Sequence, residues 1–278
     1  MKQWVAGPMH TPGVAPYLRV FVLMSGHEHI ASLLDCVAGW AERGARVHVA
    51  VLARVPGPAP GDAIAQAAQR FCNRITLSAM MDASCETLGW RGIEADTEII
   101  EPDEALAQTE TIASVARNWH ADLMVGAPAS PVLLAGLSDC PVLVLPTPFA
   151  HHCCVPPQRV FVASDGSAAS AMAVREAARI AAPGAAIRVG YVACDPQQAR
   201  HPEDFDAVVL AAGHEGEGTA HAIVEAAQLW RADLLVLGTR GGQAGGRWRY
   251  GSVAAEVAQR TVMPLLLVPQ TVRSETFA

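Results

Sequence analysis

The chain has 278 residues, half of them hydrophobic, and a formal net charge of −7, so it can bury one large core or two of ordinary size. The acidic balance argues against broad contact with a nucleic-acid backbone. No apolar run reaches the roughly 18 residues that a membrane helix needs.

In chain order, the first half reads as strands near 18–24, 46–53, 95–100, 122–126 and 142–146, with helices near 28–43, 61–82 and 104–119. The strands are near-continuous runs of Val, Leu, Ile and Ala without polar alternation, the pattern of strands covered on both faces. The second half reads as strands near 159–164, 187–193, 207–211, 233–237 and 265–268, with helices near 168–182, 219–230 and 251–261. Alternating β and α elements predict a parallel, doubly wound sheet in each half.

The halves repeat one another. RVFVLMSGHEHIASLLDCVAGWA from Arg19 matches RVFVASDGSAASAMAVREAARIA from Arg159. HADLMVGAP from His120 answers RADLLVLGT from Arg231, and CPVLVLP from Cys140 answers MPLLLVP from Met263. Two copies of one five-stranded, Rossmann-like α/β domain are expected, at 1–148 and 158–278, joined by PTPFAHHCCVPPQ, which its prolines keep extended. The apolar last strands would be exposed edges in isolated copies, so they are expected to pair within one chain as a pseudo-dimer. Symmetric pairing of whole chains is a further possibility.

The most informative stretch is GTRGGQAGGRWRYGSVAAEV, which follows the fourth strand of the second copy. Gly238, Gly241 and Gly251-Ser252 are spaced by two and nine residues. Glycines let several backbone N–H groups converge on one anion, and a helix N-terminus adds favourable partial charge. Arg240, Arg247 and Arg249 place planar cationic donors around the loop. The loop is not a P-loop, since no Gly-Lys-Ser/Thr follows it, nor the dinucleotide fingerprint, which follows a first strand. A structural turn is the alternative reading, and Asp165 alone could merely order its own turn.

With its G-x2-G-x9-G-S spacing, the DGS turn at Asp165 and the closing MPLLLVP, the second copy resembles the universal stress protein family. The first copy shares the framework, so the whole chain resembles a tandem member. The resemblance implies an adenine nucleotide α-hydrolase-like fold and an ATP site, with magnesium an optional companion. It places Asp165 on the adenine–ribose side, and Val192 and Leu237 against adenine. It places Gly238, Gly241, Gly251, Ser252 and Val253 around ribose and phosphates. Arg240 stands where many relatives carry His.

The first copy has Ser25 at the position of Asp165, a shorter loop after its fourth strand and no arginine in it, so it is expected to keep the fold without the phosphate cradle. In the second copy only CDPQQARHPEDF separates strands two and three, so one sheet face is expected to lose its usual helix. His151, His152, Cys153 and Cys154 are adjacent rather than spaced as metal ligands, and read as linker. His27 and His29 read as a solvent-facing turn, and the seven cysteines, scattered and odd in number, as reduced thiols. Without a signal-peptide core in MKQWVAGPMHTPGVAPYLRV, a cytoplasmic protein is expected.

The function expected is a stress-response regulator that binds ATP or a related adenine nucleotide in the second copy and acts on an unidentified protein partner, with no nucleic acid or membrane involved. No Walker-type lysine, general base or carboxylate pair stands beside the loop, so efficient phosphoryl transfer is not indicated. The alternatives are a nucleotide-using enzyme of the same fold, with slow ATP hydrolysis or adenylate chemistry, and a module that binds no nucleotide.

Overall fold

The computed structural model describes residues 17–24, 30–53, 63–101, 105–146, 154–192, 206–210, 218–239 and 252–270. The first half runs β1 (Tyr17–Met24), α1 (Ile30–Trp40), β2 (Ala41–Leu52), α2 (Ala63–Gly89), β3 (Glu94–Ile100), α3 (Ala105–Asn118), β4 (Leu123–Gly126), α4 (Pro131–Leu137) and β5 (Val142–Val144). The second runs β6 (Arg159–Ser164), α5 (Ala168–Ile180), β7 (Ala186–Val192), β8 (Asp206–Leu210), α6 (Thr219–Leu229), β9 (Leu234–Thr239), α7 (Ser252–Arg260) and β10 (Leu265–Pro269).

All ten strands form one sheet, in the order β3-β2-β1-β4-β5-β10-β9-β6-β7-β8. Each half contributes five parallel strands, and the halves meet where β5 and β10 pair antiparallel, Leu265 with Val144, Leu266 with Leu143 and Leu267 with Val142. The last strands therefore cover each other's edges. One core layer, under α1, α2 and α5, holds Val22, Val49, Leu143, Val162 and Leu266. The other, under α3, α4, α6 and α7, holds Phe21, Met124, Phe161, Leu235 and Leu267. Both layers run across the seam, so strand faces from both halves are buried in common. Each fully buried Leu or Val contributes about 1.5–3 kcal/mol.

The seam has polar ties as well. The Tyr17 hydroxyl of β1 donates to Glu176 Oε1 of α5 at 2.6 Å. Arg179 Nε donates to Glu176 Oε2 at 3.0 Å, and its guanidinium lies 4.5 Å from the centre of the Tyr17 ring. Burial, helped by the Glu176 charge, pushes the Tyr17 hydroxyl well above the ordinary tyrosine range and keeps it a donor. In the reverse direction, Val155, just before β6, packs on Gly39 of α1, where an added Cβ would stand 2.7 Å from Val155 Cβ.

The repeat seen in the sequence recurs as a clamp on each first strand. Asp122 accepts from the backbone N–H groups of Leu18 and Arg19 at 2.8 and 2.9 Å, as Asp233 does from Gln158 and Arg159 at 2.8 and 3.1 Å. Arg19 Nε donates to the Trp119 carbonyl at 2.9 Å, and Arg159 Nε to the Trp230 carbonyl at 3.1 Å. Each guanidinium also lies over its tryptophan ring, at 4.5 and 4.3 Å. His120 and Arg231, which open the two matching ADL stretches, both adopt positive φ, 60° and 55°.

Four elements depart most from the sequence expectation. The first helix ends at Trp40, and β2 begins with an irregular stretch in which Tyr17 pairs Ala41 and Arg19 pairs Arg46. Gly44, at φ 83°, absorbs the extra residues, and regular pairing resumes at Arg46, where the strand is read from sequence. The second helix continues to Gly89, because Ser84 and Leu88 remain buried beyond the expected end. The short α4 was not expected; its signal is Ser130 followed by Pro131, a proline in the first helical turn. No helix among the described residues is long and apolar enough to cross a membrane.

Candidate functional site

In the second half the chain leaves β6 through α5 to β7 on one side, while β9 flanks β6 on the other. α5 packs in the core layer of one sheet face and α7 in that of the other. The crossovers thus diverge between β6 and β9, which opens a crevice at their carboxyl ends, where ligands of such sheets sit. Both helices follow parallel strands, so their N-termini face this edge.

Asp165 lies immediately after β6 and is exposed. Its Oδ1 accepts the Ser167 N–H at 3.0 Å, which closes a tight turn through Gly166 at φ 77°. Ser167 then caps α5, its hydroxyl oxygen accepting the Ser170 N–H at 3.3 Å. Ser164, buried at the strand end, accepts from Gly166 N–H at 3.3 Å and sits 3.2 Å from the Ser170 hydroxyl. The turn is therefore built to a fixed shape by its own side chains, with a carboxylate at its tip.

On the β9 side, Leu237 is buried and Gly238 pairs with Val268 of β10. Gly238 has a packing role: an added Cβ would stand 2.3 Å from the Ala169 carbonyl oxygen and 2.8 Å from the Ser170 nitrogen. Only glycine lets the start of α5 lie on the end of β9. Gly238→Ala should lower stability by about 3 kcal/mol, since the clash is with backbone rather than a movable side chain. Urea unfolding measures this, and an unchanged midpoint would refute the packing role. Val253, in the first turn of α7, is half-buried and packs against the core layer.

Asp165, Leu237 and Gly238 thus flank one crevice, with the start of α7 at the same edge. Arg240, Gly241 and Gly251 lie outside the described residues, as do Arg247, Arg249 and the side chains of Val192 and Ser252. The linker residues His151, His152 and Cys153, the turn at His27 and His29, and Ser25 lie outside them too. Cys154 is described and exposed. No group of three or more metal-ligating side chains occurs among the described residues. Residues 193–205, between β7 and β8, are likewise not described. Two clefts of about 540 and 570 Å3 open along the seam between the halves rather than in this crevice.

The first half differs at its own β1–β4 edge in the length of the loop after the fourth strand. Only 127–130 separate β4 from α4, against 240–251 between β9 and α7. Gly126, the partner of Leu23, occupies the position of Leu237, the partner of Ala163. Sequence reasoning missed Tyr191, whose hydroxyl stands over Gly166; the available signal was an aromatic residue near the end of the second strand.

Residues 212–269 match the model of the universal stress protein family. A universal stress protein from Archaeoglobus fulgidus DSM 4304 superposes with a TM-score of 0.63 at 16% identity, over 91% of this chain and 97% of its own. A protein of Pseudomonas aeruginosa UCBPP-PA14 provisionally assigned to the same family gives 0.62 at 16% identity, over 91% and 93%. A functionally unknown protein from Pseudomonas aeruginosa PAO1 gives 0.54 at 15% identity, over 92% and 93%. No curated protein matches the sequence. The chain therefore has a doubly wound α/β fold like that of these solved structures. The chain carries the universal stress protein family's domain signature in its second half and that fold over most of its length.

Proposed function

We propose that the second half binds ATP or a related adenine nucleotide in the β6–β9 crevice, and that occupancy regulates contact with a protein partner in the cytoplasm. The observation that carries this reading is the convergence of Asp165 and the glycine-loop strand β9 at one topological switch point. Asp165 faces the adenine–ribose side, with Val192 and Leu237 packing on the base. The backbone of the loop from Gly238 through Gly241 to Gly251, with Ser252, Val253 and Arg240, receives the phosphates. Residues 1–148 form the half without a cradle, and 158–278 the binding half.

No step of phosphoryl transfer is assigned. Magnesium would accompany the triphosphate rather than rest in a protein cage. The protein purified natively should carry an adenine nucleotide, which mass spectrometry of the released ligand would identify, with slow or no ADP production on incubation with ATP and magnesium. Protein that comes out empty and takes up no added ATP would refute the binding, and rapid turnover would favour the enzyme alternative.

A further inference from the structure

Tyr191 is the penultimate residue of β7 and pairs with Ser164, the residue before Asp165. It shares a strand face with Val189, which packs under α5. Its side chain reaches back over the Asp165-Gly166-Ser167 turn. A Cβ added to Gly166 would stand 2.6 Å from Tyr191 Oη and 3.5 Å from Cζ, so the phenol occupies the space that any other residue at 166 would need. Gly166 is already at φ 77°, where side chains are disfavoured. Tyrosine and glycine therefore fit as a pair: the ring closes over a turn that favours glycine.

The chain contains its own comparison. On β2 the equivalent residue is Val51, which pairs with Met24, the residue before Ser25. Val51 is fully buried and serves only the core. The half that lacks the carboxylate thus also lacks the phenol, yet keeps the strand and its register. Tyrosine at this position is not a requirement of the fold, and it accompanies Asp165.

We propose that Tyr191 is a positioning residue of the nucleotide site, holding the turn so that the Asp165 carboxylate meets the ribose hydroxyls and distinguishes ribose from 2′-deoxyribose. This inference rests on the nucleotide reading above. In that reading the phosphates are held by the loop that follows β9, and β9 lies on the other side of β6 from Tyr191. Removing the hydroxyl or the ring should therefore change recognition of the sugar and leave that of the phosphates alone.

The test is calorimetric titration of the full chain with ATP, 2′-deoxyATP and tripolyphosphate, for wild type, Tyr191→Phe and Tyr191→Val. Wild type should prefer ATP to 2′-deoxyATP. Both variants should weaken ATP by about tenfold, because the turn that carries Asp165 is then less firmly held. Both should bring the ATP to 2′-deoxyATP ratio close to one and bind tripolyphosphate as wild type does. Thermal melting of Tyr191→Phe should match wild type, since the change removes one oxygen from a half-buried ring. Wild-type ATP affinity and sugar preference in Tyr191→Phe would overturn the positioning role while leaving the nucleotide site standing. An equal loss for ATP and tripolyphosphate would overturn it too, by showing a general collapse of the site. A wild-type chain that binds no ATP at all would instead refute the nucleotide reading itself, before any variant is compared.

Discussion

Leu266→Asp should leave no folded chain of either half. Leu266 is fully buried in the central strand of the seam, paired with Leu143 on one side and Val236 on the other. The substitution removes a large apolar side chain and puts a carboxylate among the apolar side chains of this layer. The two losses together exceed about 5 kcal/mol, which is comparable to the whole stability of many domains. Circular dichroism and urea unfolding read the outcome, with Leu229→Asp as a control at a site 78% exposed. A Leu266→Asp protein with a near-wild-type unfolding midpoint would mean that the two halves are stable without the β5–β10 seam. The second half expressed alone should self-associate for the same reason, because it would present β10 as an open edge.

Gly251→Val should abolish ATP binding and leave the melting temperature near that of the parent. Gly251 precedes α7, and in the proposed site its backbone N–H approaches a phosphate. A branched side chain there blocks that approach, and the expected loss in affinity is at least about a hundredfold, the scale of two or more charge-assisted hydrogen bonds. The contrast with Gly238 is informative. Gly238 sits against the backbone of α5, so its replacement is expected to act on stability first. If Gly251→Val bound ATP normally, the phosphates would have to lie elsewhere.

The fold was largely legible in the sequence because both faces of the sheet are covered. Strands such as VFVLM and LLVL are apolar without alternation, and the matching ADL stretches announce the repeat. The clamp of Arg19, Trp119 and Asp122, repeated by Arg159, Trp230 and Asp233, shows why those positions recur: each ties a helix end to the start of a first strand. Pairing of the last strands within one chain was expected from their apolar edges, and its antiparallel direction is read from the structure. What periodicity could not carry was local. The irregular start of β2 depends on one left-handed glycine, Gly44, and α4 is too short to show a helical stripe.

The proposed site was read from the sequence in a different way. Asp165 and Gly238 stand out through motif spacing, and the topology then places both at one switch point. Tyr191 could not be found by spacing, because its part depends on a tertiary contact with Gly166, 25 residues earlier in the chain. Gly238 fits the family motif, yet its nearest neighbours are Ala169 and Ser170, so one residue answers to both packing and motif.

The asymmetry between the halves is most directly tested by the stoichiometry of nucleotide binding. Titration of the full chain with ATP should give one site per chain, and that site should vanish in Gly251→Val. Two equal sites per chain, or one site that survives Gly251→Val, would contradict a single cradle in the second half.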